Sequence, residues 1–224
     1  MATKTLVLRP SFTVAYTGSV EAIPEDTAFE DWYKLVNEED ADSDSTRLNI
    51  DADDSSSVTF GFNFDKPVEP ILSMKVYMYF SYGIQVTSVK LSCQVLNDSG
   101  ELIGEETIKQ DVASVTSPTY ALNVFNISNL YNFLNEIDSG NIHISYTATT
   151  NSTKTVNGTN LSQLYIEFEY AESEVENKEI LQIKENGIWV LLSGDIYKKE
   201  NSSWILTDLS NFQNGQNFIL NYIE

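Results

Sequence analysis

Hydrophobic and polar positions alternate along most of this chain. A period of two marks a strand with one dry face and one wet face. In Val58-Thr59-Phe60-Gly61-Phe62-Asn63-Phe64 the four apolar side chains share one parity, with Thr59, Gly61 and Asn63 on the other. Val89, Leu91, Cys93 and Val95 repeat the pattern, as do Leu164, Ile166, Phe168 and Tyr170 against Tyr165, Glu167 and Glu169. Further strands are predicted over Thr3–Leu8, Phe12–Tyr16, Lys75–Phe80, Glu106–Ile108, Tyr120–Phe125 and Ile142–Ala148. Alternation of this kind belongs to antiparallel sheets. About eight to ten short strands broken by polar turns predict an all-β fold, an antiparallel β-sandwich or jelly roll.

Two stretches have a helical period instead. Leu130, Phe133, Leu134 and Ile137 fall at i, i+3, i+4 and i+7, which predicts one short helix. Ser128 or Asn129 suits its start, and Gly140 suits the left-handed residue after its end. Phe29, Trp32, Tyr33 and Val36 form a shorter stripe over Phe29–Val36. Residues 1–171 are expected to form the sandwich. Residues 172–178, opening Glu172-Ser173-Glu174-Val175-Glu176, have little to bury and read as an acidic linker. Residues 179–224 carry a repeat at an offset of about 15 residues. Lys184-Glu185-Asn186-Gly187-Ile188-Trp189-Val190-Leu191 aligns with Lys199-Glu200-Asn201-Ser202-Ser203-Trp204-Ile205-Leu206. Each copy predicts a hairpin, and Leu209–Tyr222 is a weaker third copy. The result is a small C-terminal β module.

Charge removes several functions. The net charge of −20 over 224 residues repels phosphate backbones and anionic lipid, so neither nucleic acid nor a membrane is an expected partner. One Cys and one His exclude an intrachain disulfide and a multi-cysteine metal site. The apolar run Leu6-Val7-Leu8 is too short for a signal-peptide core.

The acids are concentrated. Fourteen acidic residues and two basic ones lie between Glu21 and Asp65. Asp40, Asp42 and Asp44 stand at i, i+2 and i+4, with Asp51 eleven residues after Asp40, a spacing like that of a calcium loop. Ser45 in place of Gly, Asp51 in place of Glu and Arg47 within the span argue against a helix–loop–helix site. A looser calcium site and a solvated acidic loop remain the alternatives. His143, between Ile142 and Ile144, is expected on a sheet surface, and Cys93 in the core. Glu167 and Glu169 share a face about 7 Å apart. That suits paired-carboxylate chemistry in spacing alone, and exposed pairs of this kind are common in so acidic a chain. No nucleophile–base set can be assembled, so no enzyme is expected. Tyr77 and Tyr79 fall opposite Val76, Met78 and Phe80, where they suit a protein interface or the stacking of a glycan. Trp189 and Trp204 are either plugs of their hairpins or exposed contact residues.

Several segments resemble a family of β-sandwich structural proteins of tailed bacteriophages. They are Leu8-Arg9-Pro10, Thr17-Gly18-Ser19, Asn37-Glu38-Glu39 with the Asp40–Thr46 block before a strand, and the late strand Ser162–Tyr170. The Trp189 and Trp204 repeats resemble K-x-N-G-x-W hairpins appended to phage tail and appendage proteins. The resemblance implies a jelly-roll-like virion component assembled in the bacterial host cytoplasm, a homo-oligomer in contact with other virion proteins. It supplies no catalytic residues. A module binding carbohydrate or a host receptor, with a host-surface glycan as partner, is the second expectation.

Overall fold

A computed structural model describes residues 2–40, 45–51, 56–83, 86–112, 119–150 and 158–172, and beyond them the strands 182–185, 188–191, 196–200, 203–207 and 218–220. The chain divides into two compact units, Met1–Ser173 and Glu174–Glu224. The first holds β1 (Thr3–Leu8), β2 (Phe12–Thr17), β3 (Val20–Ile23), β4 (Arg47–Ile50), β5 (Ser57–Asp65), β6 (Ile71–Tyr82), β7 (Val86–Asn97), β8 (Leu102–Asp111), β9 (Tyr120–Ile127), β10 (Ser139–Thr150) and β11 (Thr159–Ala171).

One antiparallel sheet runs β3-β4-β11-β6-β9, with β1 also against β11; the other runs β2-β5-β10-β7-β8. The pairs nest. β7 lies against β8, β6 against β9, β5 against β10 and β4 against β11, in alternate sheets. That winding is a jelly roll. The alternation explains it, because each strand has one face to bury and two sheets packed face to face bury all of them. Phe60, Phe62 and Phe64 of β5, Met74, Val76, Met78 and Phe80 of β6, and Leu164, Ile166 and Phe168 of β11 are fully buried. Rings meet within this core, Phe64 with Phe168 at 5.6 Å and Phe80 with Tyr146 at 5.4 Å. Each such side chain contributes about 1.5–3 kcal/mol over an exposed one.

The edge of β11 is shared. β4 takes Thr159–Leu161 and β1 takes Ile166–Ala171. Between them the Leu164 amide donates to the Val36 carbonyl at 2.8 Å, and the Gln163 side chain donates to the Glu38 and Glu39 carbonyls, each at 2.9 Å. The segment ahead of the acidic block is thus clamped. At the end of the unit the Glu172 amide donates to the Ala2 carbonyl, and its carboxylate pairs with Lys4 at 3.0 Å.

Several expectations need correction. Phe29–Leu35 is a 3-10 helix, burying Trp32 and Leu35. The repeat Phe29, Trp32, Leu35 has a period of three, which matches the three-residue turn. The α-helix, α1, spans only Tyr131–Glu136, Ile137 is already extended, and no side chain caps the start. Instead the Glu106 carboxylate accepts from the Asn129 amide at 3.0 Å and from the Ser128 hydroxyl at 3.3 Å. Gly140 ends no helix. It lies in β10 where a Cβ would meet the Leu96 carbonyl oxygen at 2.3 Å, so close strand approach requires glycine there. Thr149 belongs to β10, and the buried Thr159 opens β11.

In the second unit β12 (Gln182–Glu185) pairs with β13 (Ile188–Leu191), and β14 (Ile196–Glu200) with β15 (Ser203–Thr207). Trp189 faces Lys184 and Trp204 faces Lys199, so the repeat keeps its register. β16 (Phe218–Leu220) pairs with β14 and so extends the second hairpin. The rest of the weaker third copy lies outside the described residues.

Candidate functional site

The outer face of the six-stranded sheet collects aromatic and aliphatic side chains in cross-strand rows. With Val76, Met78 and Phe80 buried, Tyr77 and Tyr79 stand on the opposite, outer side of β6. Tyr165 of β11 lies opposite Tyr77, and their rings stack at 4.6 Å with planes 5° apart. On the far side of Tyr77 is Val124 of β9. β1 flanks β11 on the other edge, and just beyond its end the Arg9 guanidinium lies 5.4 Å over the Tyr165 ring. Arg9 is fixed there because it also donates to the Asn37 and Glu38 carbonyls. The row therefore reads Arg9, just past β1, then Tyr165, Tyr77 and Val124 across three strands. A second row holds Gln163, Tyr79 and Leu122, and Tyr79 stacks on Tyr120 at 5.4 Å.

This geometry sets what the face can do. Parallel rings side by side on neighbouring strands stand up from the sheet, and a pair this close gains about 0.5–1.5 kcal/mol beyond its buried area. One face of Tyr165 is covered by Tyr77 and the other by Arg9. Edges and hydroxyls, not flat ring faces, point outward. Around them Val7, Leu122 and Val124 are 46%, 50% and 47% exposed. The charged residues here are balanced and engaged. Lys75 is 3.8 Å from Glu167, and Glu169 accepts from Thr3 at 2.9 Å and Ser73 at 3.3 Å. Burial raises the Tyr77 and Tyr165 phenols above the ordinary value, the Glu167 carboxylate raises both further, and Arg9 opposes this at Tyr165. Both are neutral hydrogen-bonding groups at physiological pH.

The other candidates are placed as follows. Asp40 is exposed, and Asp51 follows β4 with its amide donating to the Ser19 carbonyl at 3.0 Å. Asp42 and Asp44 lie outside the described residues. Arg47–Ile50, between Asp40 and Asp51, is a strand paired on both sides, so those four residues belong to the sheet. Among the described residues no group of three or more His, Cys, Asp or Glu side chains gathers to hold a metal. His143 is half-buried on the outer side of the second sheet, its ring edge-on to Phe12 at 6.1 Å, and burial lowers its pKa. Phe12 reaches it by lying over Gly61, where a Cβ would come within 2.1 Å of the ring. Cys93 is fully buried, which pushes its thiol far above the ordinary value and leaves it inert. Trp189 and Trp204 lie in β13 and β15; their side chains lie outside the described residues.

Sequence reasoning missed Arg9, Val7, Leu122, Val124 and Tyr120 as parts of the face. The parity of Tyr165 was visible, but its pairing with Tyr77 follows from β11 lying beside β6, which no local pattern encodes.

No protein-family model and no curated protein matches the chain. Solved structures match the chain at low identity. The enzymatically active domain of tailspike protein 4 of bacteriophage CBA120 is 12% identical (TM-score 0.36), over 72% of this chain and 19% of that one. The Gt strain of infectious bursal disease virus gives 10% identity (TM-score 0.41), over 77% of this chain and 33% of that one. The C-terminal CBM6 of LamC, a marine laminarinase from Zobellia galactanivorans, gives 14% identity (TM-score 0.34), over 74% of this chain and 98% of that module. The chain thus spans about a fifth of the tailspike domain and a third of the virus protein. No residue role is carried over from any of them.

Proposed function

We propose that this chain is a non-catalytic structural component of a bacteriophage particle, in the tail, an appendage or the head surface, acting by contact with neighbouring proteins. The observation that carries the reading is the outer face of the six-stranded sheet, where Val7, Tyr165, Tyr77, Val124, Tyr79 and Leu122 form a broad apolar and aromatic surface on a strongly acidic protein. Tyrosines with aliphatic neighbours are typical of interface centres. The resemblance of Leu8-Arg9-Pro10, Thr17-Gly18-Ser19 and the Ser162–Tyr170 strand to phage structural proteins supplies the virion setting.

The second reading, a module binding a host-surface glycan, draws on Tyr79, Tyr120 and Gln163 in one corner of the same face. It is the weaker one. Sugar rings pack on open aromatic faces, and Tyr165 spends its two on Tyr77 and Arg9 while Tyr77 spends one on Tyr165. Incubating the pure full chain with host cells and with a glycan array separates the readings. The structural reading expects no retention above a control protein of equal charge, and saturable retention lost in Tyr79→Ala would reverse the order.

A further inference from the structure

We propose that the outer edge of β9 is where a second copy of this chain joins, β9 to β9 and antiparallel, so that two six-stranded sheets continue as one. The inference rests on reading this face as an assembly surface, and adds the partner and the way it docks.

β9 ends its sheet, and among the described residues no strand lies on its far side. An open edge offers backbone donors and acceptors to any passing strand, so folded proteins guard edges with charge, proline, short length or a cover. The ends of the two strand paths other than β9 are guarded in these ways, and β1, off the path beside β11, carries Lys4. β8 carries Glu105, Glu106, Lys109 and Asp111. β3 has four residues, one of them Glu21. β2 lies beneath the 3-10 segment, where the Tyr33 amide donates to Thr13 at 3.0 Å and Tyr16 meets Phe29 and Trp32 at 5.4 and 5.0 Å. Among the described residues β9 has none of these protections. Its eight residues hold no charge and no proline, and Leu122 and Val124 stand half exposed on it. From Val112 to Asn135 not one residue is charged, in a chain where 21% of residues are.

The edge is self-complementary, with half-exposed Leu122 and Val124 set symmetrically about Asn123, and that suits a second copy. Two molecules of net charge −20 repel over most of their surface, and an uncharged edge is where they approach at least cost. A two-fold contact needs the same strand on both sides. Outward side chains must meet outward ones, so the pairing keeps parity. A register centred on Asn123 does so, setting Leu122 against Val124 of the partner subunit and Ala121 against Phe125 of the partner subunit. The row Arg9, Tyr165, Tyr77, Val124 then runs on into the partner's Leu122 and Tyr79. Asn123 donates to the Ala121 carbonyl at 3.0 Å, and that oxygen keeps a second lone pair for the partner. A strand of eight residues spans only about 27 Å. The contact is therefore small beside a standard interface of about 1,600 Å², and a dissociation constant on the order of micromolar is expected.

Sedimentation velocity on the full chain from about 1 to about 100 µM tests this. Expected is a monomer–dimer equilibrium that strengthens with added salt, as screening relieves like-charge repulsion. Val124→Lys weakens it at least about tenfold with an unchanged thermal midpoint, because the side chain is already half solvated. Oxidised L122C/V124C forms a disulfide-linked dimer, since directly opposed residues lie about 4.5–5.5 Å apart and the buried Cys93 does not compete. A chain that stays monomeric throughout the range overturns the inference. A dimer untouched by Val124→Lys but lost in Tyr165→Ser also overturns it, while leaving the face itself as an assembly surface.

Discussion

Replacing Tyr146 with Phe should leave the protein as stable or make it more so. Tyr146 lies in β10 between Val58 of β5 and Leu91 of β7, fully buried, its ring edge against Phe80. Its hydroxyl is sealed in the core and, among the described residues, has no hydrogen-bond partner; neither has that of Thr159. Thr159 is near enough to favour the ionised phenol slightly, yet the two oxygens make no bond of good geometry, and the geometry decides. A buried hydroxyl without a partner costs about 1–3 kcal/mol. Tyr146→Phe removes that cost and keeps the ring, so a gain of up to about 2 kcal/mol is expected. Alkali provides a second arm. Burial raises the Tyr146 phenol, so above about pH 10 the unfolded chain loses this proton while the folded one keeps it. Stability then falls as pH rises, by about 1.4 kcal/mol per pH unit for this group. The variant should show a shallower fall. Urea unfolding in a W189F/W204F background, where Trp32 alone reports on the sandwich, measures both arms. A loss above about 1 kcal/mol at neutral pH, or an unchanged alkaline slope, would refute the reasoning.

Gly158→Ala should destabilise by about 3 kcal/mol or more, because the new Cβ would lie 1.6 Å from the Ile50 carbonyl oxygen, while Gly100→Ala, with open space and φ +78°, should cost about 1 kcal/mol; thermal midpoints distinguish them. Arg9→Lys keeps the charge but loses the planar fork on the Asn37 and Glu38 carbonyls and the stack on Tyr165, so amide exchange at residues 36–39 should quicken and stability fall by about 1–2 kcal/mol. His143 has a lowered pKa, so the unfolded chain takes up a proton first as pH drops below about 6.5 and stability declines there; His143→Gln should flatten that part of the pH profile. Calcium at about 1 mM raises the unfolding midpoint if Asp40, Asp42, Asp44 and Asp51 hold it, and an unmoved midpoint assigns the segment to solvated charge.

The strands with strict alternation were legible in sequence, because a half-buried antiparallel strand writes its two faces directly into residue order. Thr3–Leu8 matches β1 residue for residue, and Val58–Phe64 falls inside β5. The short strands β3 and β4 were not found. Four residues such as Arg47-Leu48-Asn49-Ile50 contain too little alternation, and their acidic surroundings suggest a loop. What makes them strands is the remote edge of β11. Glu106 holding the start of the short helix is likewise a contact across 23 residues, invisible to a rule about adjacent caps. The candidate face was half legible. Parity placed Tyr77 and Tyr79 outward, but whether they form a flat platform or an upright stack depends on Tyr165 and Arg9, which only sheet order brings beside them.

The central claim is that this sandwich works by being held between other proteins in a particle. A high-resolution reconstruction of purified particles, with their composition checked by mass spectrometry, tests it most directly. The account predicts the chain in stoichiometric amount, with Tyr77, Tyr165 and Val124 covered by a neighbouring protein. Absence from the particles, or presence with that face open to solvent, would contradict it.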